Sequence, residues 1–231
     1  MGRIDLKIDW CSHAAAKYAV EHWHYSRRMP APKITHQGVW EDGGFIGAVI
    51  VGAGSNGNLG APYGLTTFEV AELQRIALTD HATPVSRIIA IAIRRVVSAN
   101  PGIRMVISYS DPFHGHHGGV YQAAGWYYLG ETSLDMALRT PDGRMWHSRT
   151  FAKSGRKKHH GKYYSTPTSE DGEIIRLPAK HRYAKVIDDS LRTRIEAMSQ
   201  PYPKRPKDSS EPPGDLPGEG GAAPTRTLQL R

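Results

Sequence analysis

A chain of 231 residues, 39% of them hydrophobic, is long enough for one domain with a full core and an appendage. Its 30 Lys and Arg against 22 Asp and Glu leave a formal charge of +8, which points to a polyanionic partner, nucleic acid first, because neutralising phosphates releases counterions. The single cysteine, Cys11, excludes an intramolecular disulfide and a cysteine-based zinc site, and no apolar run approaches the roughly 18 residues of a membrane span.

Ile4, Leu6, Ile8 and Trp10 alternate with polar residues, the period of a half-buried strand. Ser12 then offers an N-cap to a helix in which Ala15, Tyr18, Ala19, His22 and Trp23 fall at helical spacing, ending before Pro30 and Pro32. Residues 34–40 and 45–51 are β-rich and flank Asp42-Gly43, a hairpin signal. The Gly- and Asn-rich stretch from Gly52 must be a loop, and its length hints at a substrate loop or lid.

Residues 68–78 read as a fourth strand. Val85, Ile88, Ile89, Ala92, Ile93 and Val96 form one apolar helix face, with Pro84 near the first turn and Asn100-Pro101-Gly102 as the stop. A strand over 104–109, a short helix over 117–124 and strands over 126–129 and 145–151 follow, then a helix-compatible stretch over 184–198. From Gln200 on, Pro, Gly, Ser and charge dominate, too little apolar surface to offset ordering entropy. The expected organisation is a catalytic domain over 1–198 and a disordered tail over 199–231.

Chemistry crowds the end of the 104–109 strand, where Ser108, Tyr109, Ser110 and Asp111 leave together and His114, His116 and His117 follow. Strand ends are where open α/β sheets place ligands, so Asp111 reads as a metal ligand or an amine-orienting group, or else as a turn cap ahead of Pro112. Tyr121 is a candidate general acid or base-binding phenol, or a core ring. The H-x-H-H spacing matches no standard metal motif. Basic residues interleaved with aromatics run through 153–185: Lys153, Arg156, Lys157, Lys158 and Lys162, with Tyr163 able to stack on a base. Together with Arg27 and Arg28 they form the expected DNA-contacting set.

The order β-α-β-β-β-α-β-α-β-β resembles the GNAT acyltransferase fold, an α/β (α+β) class with a mixed, mostly antiparallel sheet flanked by helices. AELQRIAL resembles its cofactor-pairing strand and VYQAAGWYYLG its helix and strand with an acid tyrosine. From His22 to about Lys185, HWHYSRRMP, AELQRIAL and SYSDP…H.G..Y.AAGW in that order resemble the Mom DNA-modification proteins of Mu-like phages.

The resemblance implies conversion of adenine in double-stranded DNA to N6-carbamoylmethyl adenine, protecting phage DNA from restriction in the host bacterial cytoplasm. It implies Tyr121 as the acid and Tyr25 beside His24 on the acceptor side. His24 becomes an iron ligand with Asp111, and Arg75, Ser108 and Ser110 take the cofactor side. The donor is acetyl-CoA or another acyl- or glycyl-type molecule. A CoA diphosphate wants the free N–H groups of a helix N-terminus, yet residues 78–87 lack the glycine-rich turn usual there. Joining N6 to a CH2 carbon is an alkylation, so the donor carbon needs activation, for which redox-active iron is one means. Extruding the base calls for an aromatic pocket, with Trp23, Tyr63 and Trp126 as candidates. A conventional amine acetyltransferase and a non-catalytic DNA-binding protein are the competing readings; the oligomeric state is open, a homodimer among the options.

Overall fold

The computed structural model describes residues 4–30, 34–54, 57–148, 150–151, 154–159 and 161–204. In chain order the elements are β1 (Leu6–Trp10), α1 (His13–Trp23), β2 (Ile34–Glu41), β3 (Gly44–Gly52), β4 (Val70–Leu78), α2 (Val85–Ala99), β5 (Met105–Ser110), α3 (Gly119–Ala123) and β6 (Tyr127–Glu131). They continue with β7 (Asp135–Arg139), β8 (Met145–His147), β9 (Arg156–His159), β10 (Lys162–Ser165), β11 (Glu173–Leu177), β12 (His181–Val186) and α4 (Arg192–Met198). Chain contacts divide these into two compact units. Among the described residues, one holds those up to Ser133 and from Pro178 on, the other Leu134–Leu177, so the 153–185 basic stretch is shared between them.

The first unit is built on a seven-stranded sheet of order β1-β2-β3-β4-β5-β12-β6. All neighbours are antiparallel except β4 and β5. Period-two alternation along β3 sends its side chains to opposite layers. Ala48 and Ile50 meet Ala16, Ala19 and Val20 of α1, while Val49 and Val51 meet Ile88, Ile89, Ala92, Ile93 and Val96 of α2. Each fully buried Ile or Val on these stripes contributes about 1.5–3 kcal/mol of burial. Ser12 Oγ caps α1 by accepting from the Ala15 N–H at 3.2 Å. Asp42 and Gly43 both take positive φ, 48° and 83°, giving the tight hairpin their sequence announces.

Three sequence expectations are corrected. The stretch 184–198 is not one helix: its first three residues close β12, and helix forms over Arg192–Met198. Tyr183 and Ala184 are fully buried between β5 and β6, and that long-range pairing overrides local helix propensity. The strand expected over 145–151 contracts to Met145–His147. The loop after Gly52 is anchored, since Leu59, Tyr63 and Leu65 sink into a second core with Met105, Ile107 and Ile195.

Downstream of α4, the Gln200 N–H donates to Tyr128 O at 2.8 Å and the Tyr202 hydroxyl to Trp126 O at 2.7 Å, tying the chain to β6. Residues 205–231, most of the expected tail, lie outside the described residues.

The second unit holds the three-stranded sheet β11-β7-β8 and the hairpin β9-β10. Of its strands only β8 overlaps one read from sequence.

Candidate active site

Strands β4 and β5 run in parallel register only from Val70↔Met105 to Leu73↔Ser108. Beyond that pair β4 continues to Leu78 along β3 and β5 to Ser110 along β12 without pairing to each other, and the gap opens into a cavity of about 780 Å³. Its wall combines Gln74 and Arg75 from β4, Ser110 and Asp111 from the end of β5, Tyr121 from α3, and Trp23, His24 and Tyr25 from the end of α1. The geometry thus gathers Arg75, Ser110, Asp111, Tyr121, His24 and Tyr25 around one space.

Ser108 sits where the strands part. Its Oγ donates to Leu73 O at 2.8 Å, and the Tyr121 phenol lies 2.7 Å from the same Oγ. A hydroxyl has one proton, and Ser108 spends its own on Leu73, so the phenol is the donor of the second bond. Tyr121 therefore offers the cavity lone pairs rather than a proton. Burial pushes its phenol up to about 12. Its ring packs between Trp126 and Tyr183, at 5.1 and 5.0 Å between centroids.

Asp111 is 7% exposed. Its Oδ1 accepts from the Phe113 N–H at 3.1 Å, and its Oδ2 lies 3.1 Å from Lys180 Nζ and 3.3 Å from His114 Nδ1. Burial pushes the carboxyl up, but His114 and Lys180 outweigh it and hold the acid down at about 2. The turn-capping reading of Asp111 holds, and the same carboxylate lines the cavity. Ser110 Oγ, from a residue only 4% exposed, makes no well-formed hydrogen bond, with the Tyr183 phenol as its polar neighbour.

His24 ends α1. Its Nδ1 accepts the Ser26 backbone N–H at 3.1 Å and lies 2.8 Å from Ser26 Oγ. Burial, then Arg75, His116 and His114, lower its pKa to about 3, so the ring is neutral with its proton on Nε2. The Tyr25 ring lies tilted against those of His24 and His114, at 4.3 Å between centroids in both cases, and 5.0 Å from that of His116. Arg75 Nε donates to Arg28 O at 3.3 Å and Nη1 to Gln74 O at 2.7 Å, which fixes the guanidinium on the wall. Arg27 takes a positive φ of 47° in the same turn.

The turn from His116 to α3 depends on one glycine. Gly118 has φ +79°, and a Cβ there would meet the Tyr183 ring at 2.3 Å. That close approach lets the Tyr183 hydroxyl donate to His117 O at 3.1 Å and accept from Gln122 Nε2 at 3.2 Å.

The donor set does not fit a resident iron as arranged. A ligating imidazole donates its remote N–H outward and keeps a lone pair for the metal, whereas His24 Nδ1 is an acceptor and its Nε2 carries the proton. The Asp111 carboxylate already has the Lys180 ammonium as its cation, and no group of three His, Cys, Asp or Glu suited to a metal occurs among the described residues.

Of the three aromatic candidates, Trp23 lines the cavity. Tyr63 and Trp126, 2% and 1% exposed, belong to the cores. Lys180, read from sequence only as positive charge, is the partner of Asp111, and Gln74, Gln122 and Tyr183 went unread. Their signal was weak: Tyr183 and His181 alternate along β12 amid charged residues.

The basic residues of β9 and β10 belong to the second unit. Arg156, Lys157 and Lys158 on β9 face Ser165, Tyr164 and Tyr163 on β10, and Lys162 faces position 159. Lys158 Nζ lies 5.7 Å from the centre of the Tyr163 ring, itself 69% exposed. Lys153 lies outside the described residues.

A seven-stranded sheet split at its parallel pair, with polar groups converging on the split, defines a mixed α/β protein whose candidate binding site is the split. The chain belongs to the Mom protein family, whose model matches residues 5–204. It is 27% identical over 210 residues to the protein named methylcarbamoylase mom of Escherichia phage Mu, covering 88% of this chain and 86% of that one. Among solved structures it is similar to the aminoglycoside acetyltransferase AAC(6')-Ib in complex with coenzyme A and kanamycin, at TM-score 0.48, 11% identity, and coverage of 82% of this chain and 99% of that one. It is likewise similar to a Bacillus subtilis acetyltransferase in complex with CoA, at TM-score 0.45, 9% identity, and coverage of 80% and 99%.

Proposed function

We propose that this protein is a DNA-modifying transferase that converts adenine in double-stranded phage DNA to N6-carbamoylmethyl adenine and so protects it from host restriction. Family membership supplies the reaction class, and the observation that carries the assignment of the site is the commitment of the Tyr121 proton to Ser108. A phenol oxygen with only lone pairs to offer suits an exocyclic amine, which presents N–H groups. Asp111, ionised at physiological pH, is a second acceptor for the same amine and draws electron density toward nitrogen.

The N6–CH2 bond forms as the donor's CH2 carbon loses its leaving group, and the N6 proton passes to solvent beside Asp111. The target must leave the duplex to reach a cavity of this kind, and the exposed Tyr25 ring, set against the His24 and His114 imidazoles, offers a surface for it.

The rival amine acetyltransferase asks Tyr121 to protonate a departing thiolate. A phenol near 12 is a weaker acid than a thiol of about 8.5, and its proton is already placed.

The hairpin of β9 and β10 is the DNA-holding element in this reading, because cations and aromatics alternate on both of its faces. Plasmid DNA co-expressed with the chain is expected to resist a restriction nuclease that reads adenine. Replacing Lys157 and Lys158 together by Ala is expected to weaken DNA binding and flatten the slope of log K against log salt by about 1.8, roughly 0.9 per phosphate contact. An unchanged slope removes the hairpin from the interface, and full nuclease sensitivity with the intact chain contradicts the proposed function.

A further inference from the structure

The turn leading into α2 is where an acyltransferase of this architecture would hold a diphosphate, because unpaired N–H groups and the helix dipole favour an anion there. In this protein the turn already holds one of its own. Glu41, the last residue of β2, reaches across: the Ala82 N–H donates to Oε2 at 3.0 Å and the Thr83 N–H to Oε1 at 2.6 Å. The next residue, Pro84, stands at the N-cap and has no N–H to give. The Thr79 N–H is taken by Ile46 O at 2.9 Å, and His81 Nδ1 lies against Thr79 O at 2.7 Å. The turn also carries Asp80 and no Lys or Arg before Arg87.

Each N–H has one hydrogen, and two of those that would face a diphosphate are spent on a carboxylate whose charge repels another anion. Thr83 and the Ala82 N–H keep that carboxyl below its usual range, so it stays ionised. The cavity, by contrast, holds uncommitted polar groups: the buried Ser110 hydroxyl and Gln74 Oε1 both lack a well-formed partner and both residues line it, beside Arg75.

We propose that Glu41 occupies the diphosphate place at α2, and that the group donor is a compact molecule without a nucleotide diphosphate, held inside the cavity by Arg75, Gln74 and Ser110. The proposal rests on the transferase reading above for the existence of a donor. Its claim about Glu41 stands on the hydrogen bonds alone.

Calorimetric titration of the full chain with CoA, acetyl-CoA and inorganic pyrophosphate tests it. The unaltered protein is expected to bind none of them more tightly than about 1 mM. Glu41→Ala, by freeing both N–H groups and removing the charge, is expected to gain at least about tenfold in affinity for pyrophosphate and CoA. Glu41→Gln, which keeps one acceptor oxygen, is expected to gain less, and it decides the matter if thermal melting shows Glu41→Ala unfolded. Micromolar CoA binding by the unaltered chain overturns the proposal. So does the absence of any gain in a folded variant. Loss of the DNA product in the unaltered chain would sink the transferase reading while leaving the titration result intact, so the two failures are distinguishable.

Discussion

Asp111→Asn is expected to lower DNA modification by about 100-fold or more, the lower range for removal of a positioned proton-handling group. The amide retains an oxygen for the Phe113 N–H, so the turn survives, while the Lys180 ammonium loses its counter-charge. Stability falls as well. The folded-state acid lies at about 2 against an ordinary 3.8, which corresponds to on the order of 2 kcal/mol at neutral pH. Because the folded value is the lower one, this contribution is complete above 3.8 and is lost as pH falls from 3.8 toward about 2. Melting curves of the two proteins should therefore differ by about 4–8 °C near neutrality and converge in acid. A gap that persists unchanged at low pH would show that the charge is not what stabilises the turn.

Tyr121→Phe separates the phenol oxygen from the ring. The ring keeps its packing against Trp126 and Tyr183, so the loss in stability should be about 1 kcal/mol, that of one neutral hydrogen bond. Modification, in contrast, is expected to fall by about 10²-fold, the usual cost of losing one placed polar group in an active site. Ser108→Ala is the companion variant: it leaves Leu73 O without its donor and frees the phenol to turn its proton toward the cavity. Equal losses of activity and stability in Tyr121→Phe would assign the phenol to the core rather than to the reaction.

Periodicity laid out the first six strands and the two long helices because each buries a continuous stripe or an alternating face, and both leave local patterns. Strand β12 left none: its Tyr183 and Ala184 are core, but they sit among His181, Arg182 and Lys185 and gain their place only by pairing with β5 and β6, both far earlier in the chain. The split between β4 and β5 is equally non-local, a matter of where register stops. Asp111 and Tyr121 stood out because one short segment carries both. His24, Tyr25 and Arg75 joined them through family resemblance, and the cavity bears out their proximity without testing their roles. Glu41 was invisible, since an acidic residue at a hairpin reads as turn chemistry and its partners lie on another element.

Nucleoside mass spectrometry of DNA from cells expressing the intact chain tests the central claim most directly. Deoxyadenosine heavier by one carbamoylmethyl group in place of a hydrogen, diminished in cells expressing Asp111→Asn or Tyr121→Phe at equal protein levels, is the predicted result. Unmodified deoxyadenosine throughout, or a simple acetyl adduct, would contradict it.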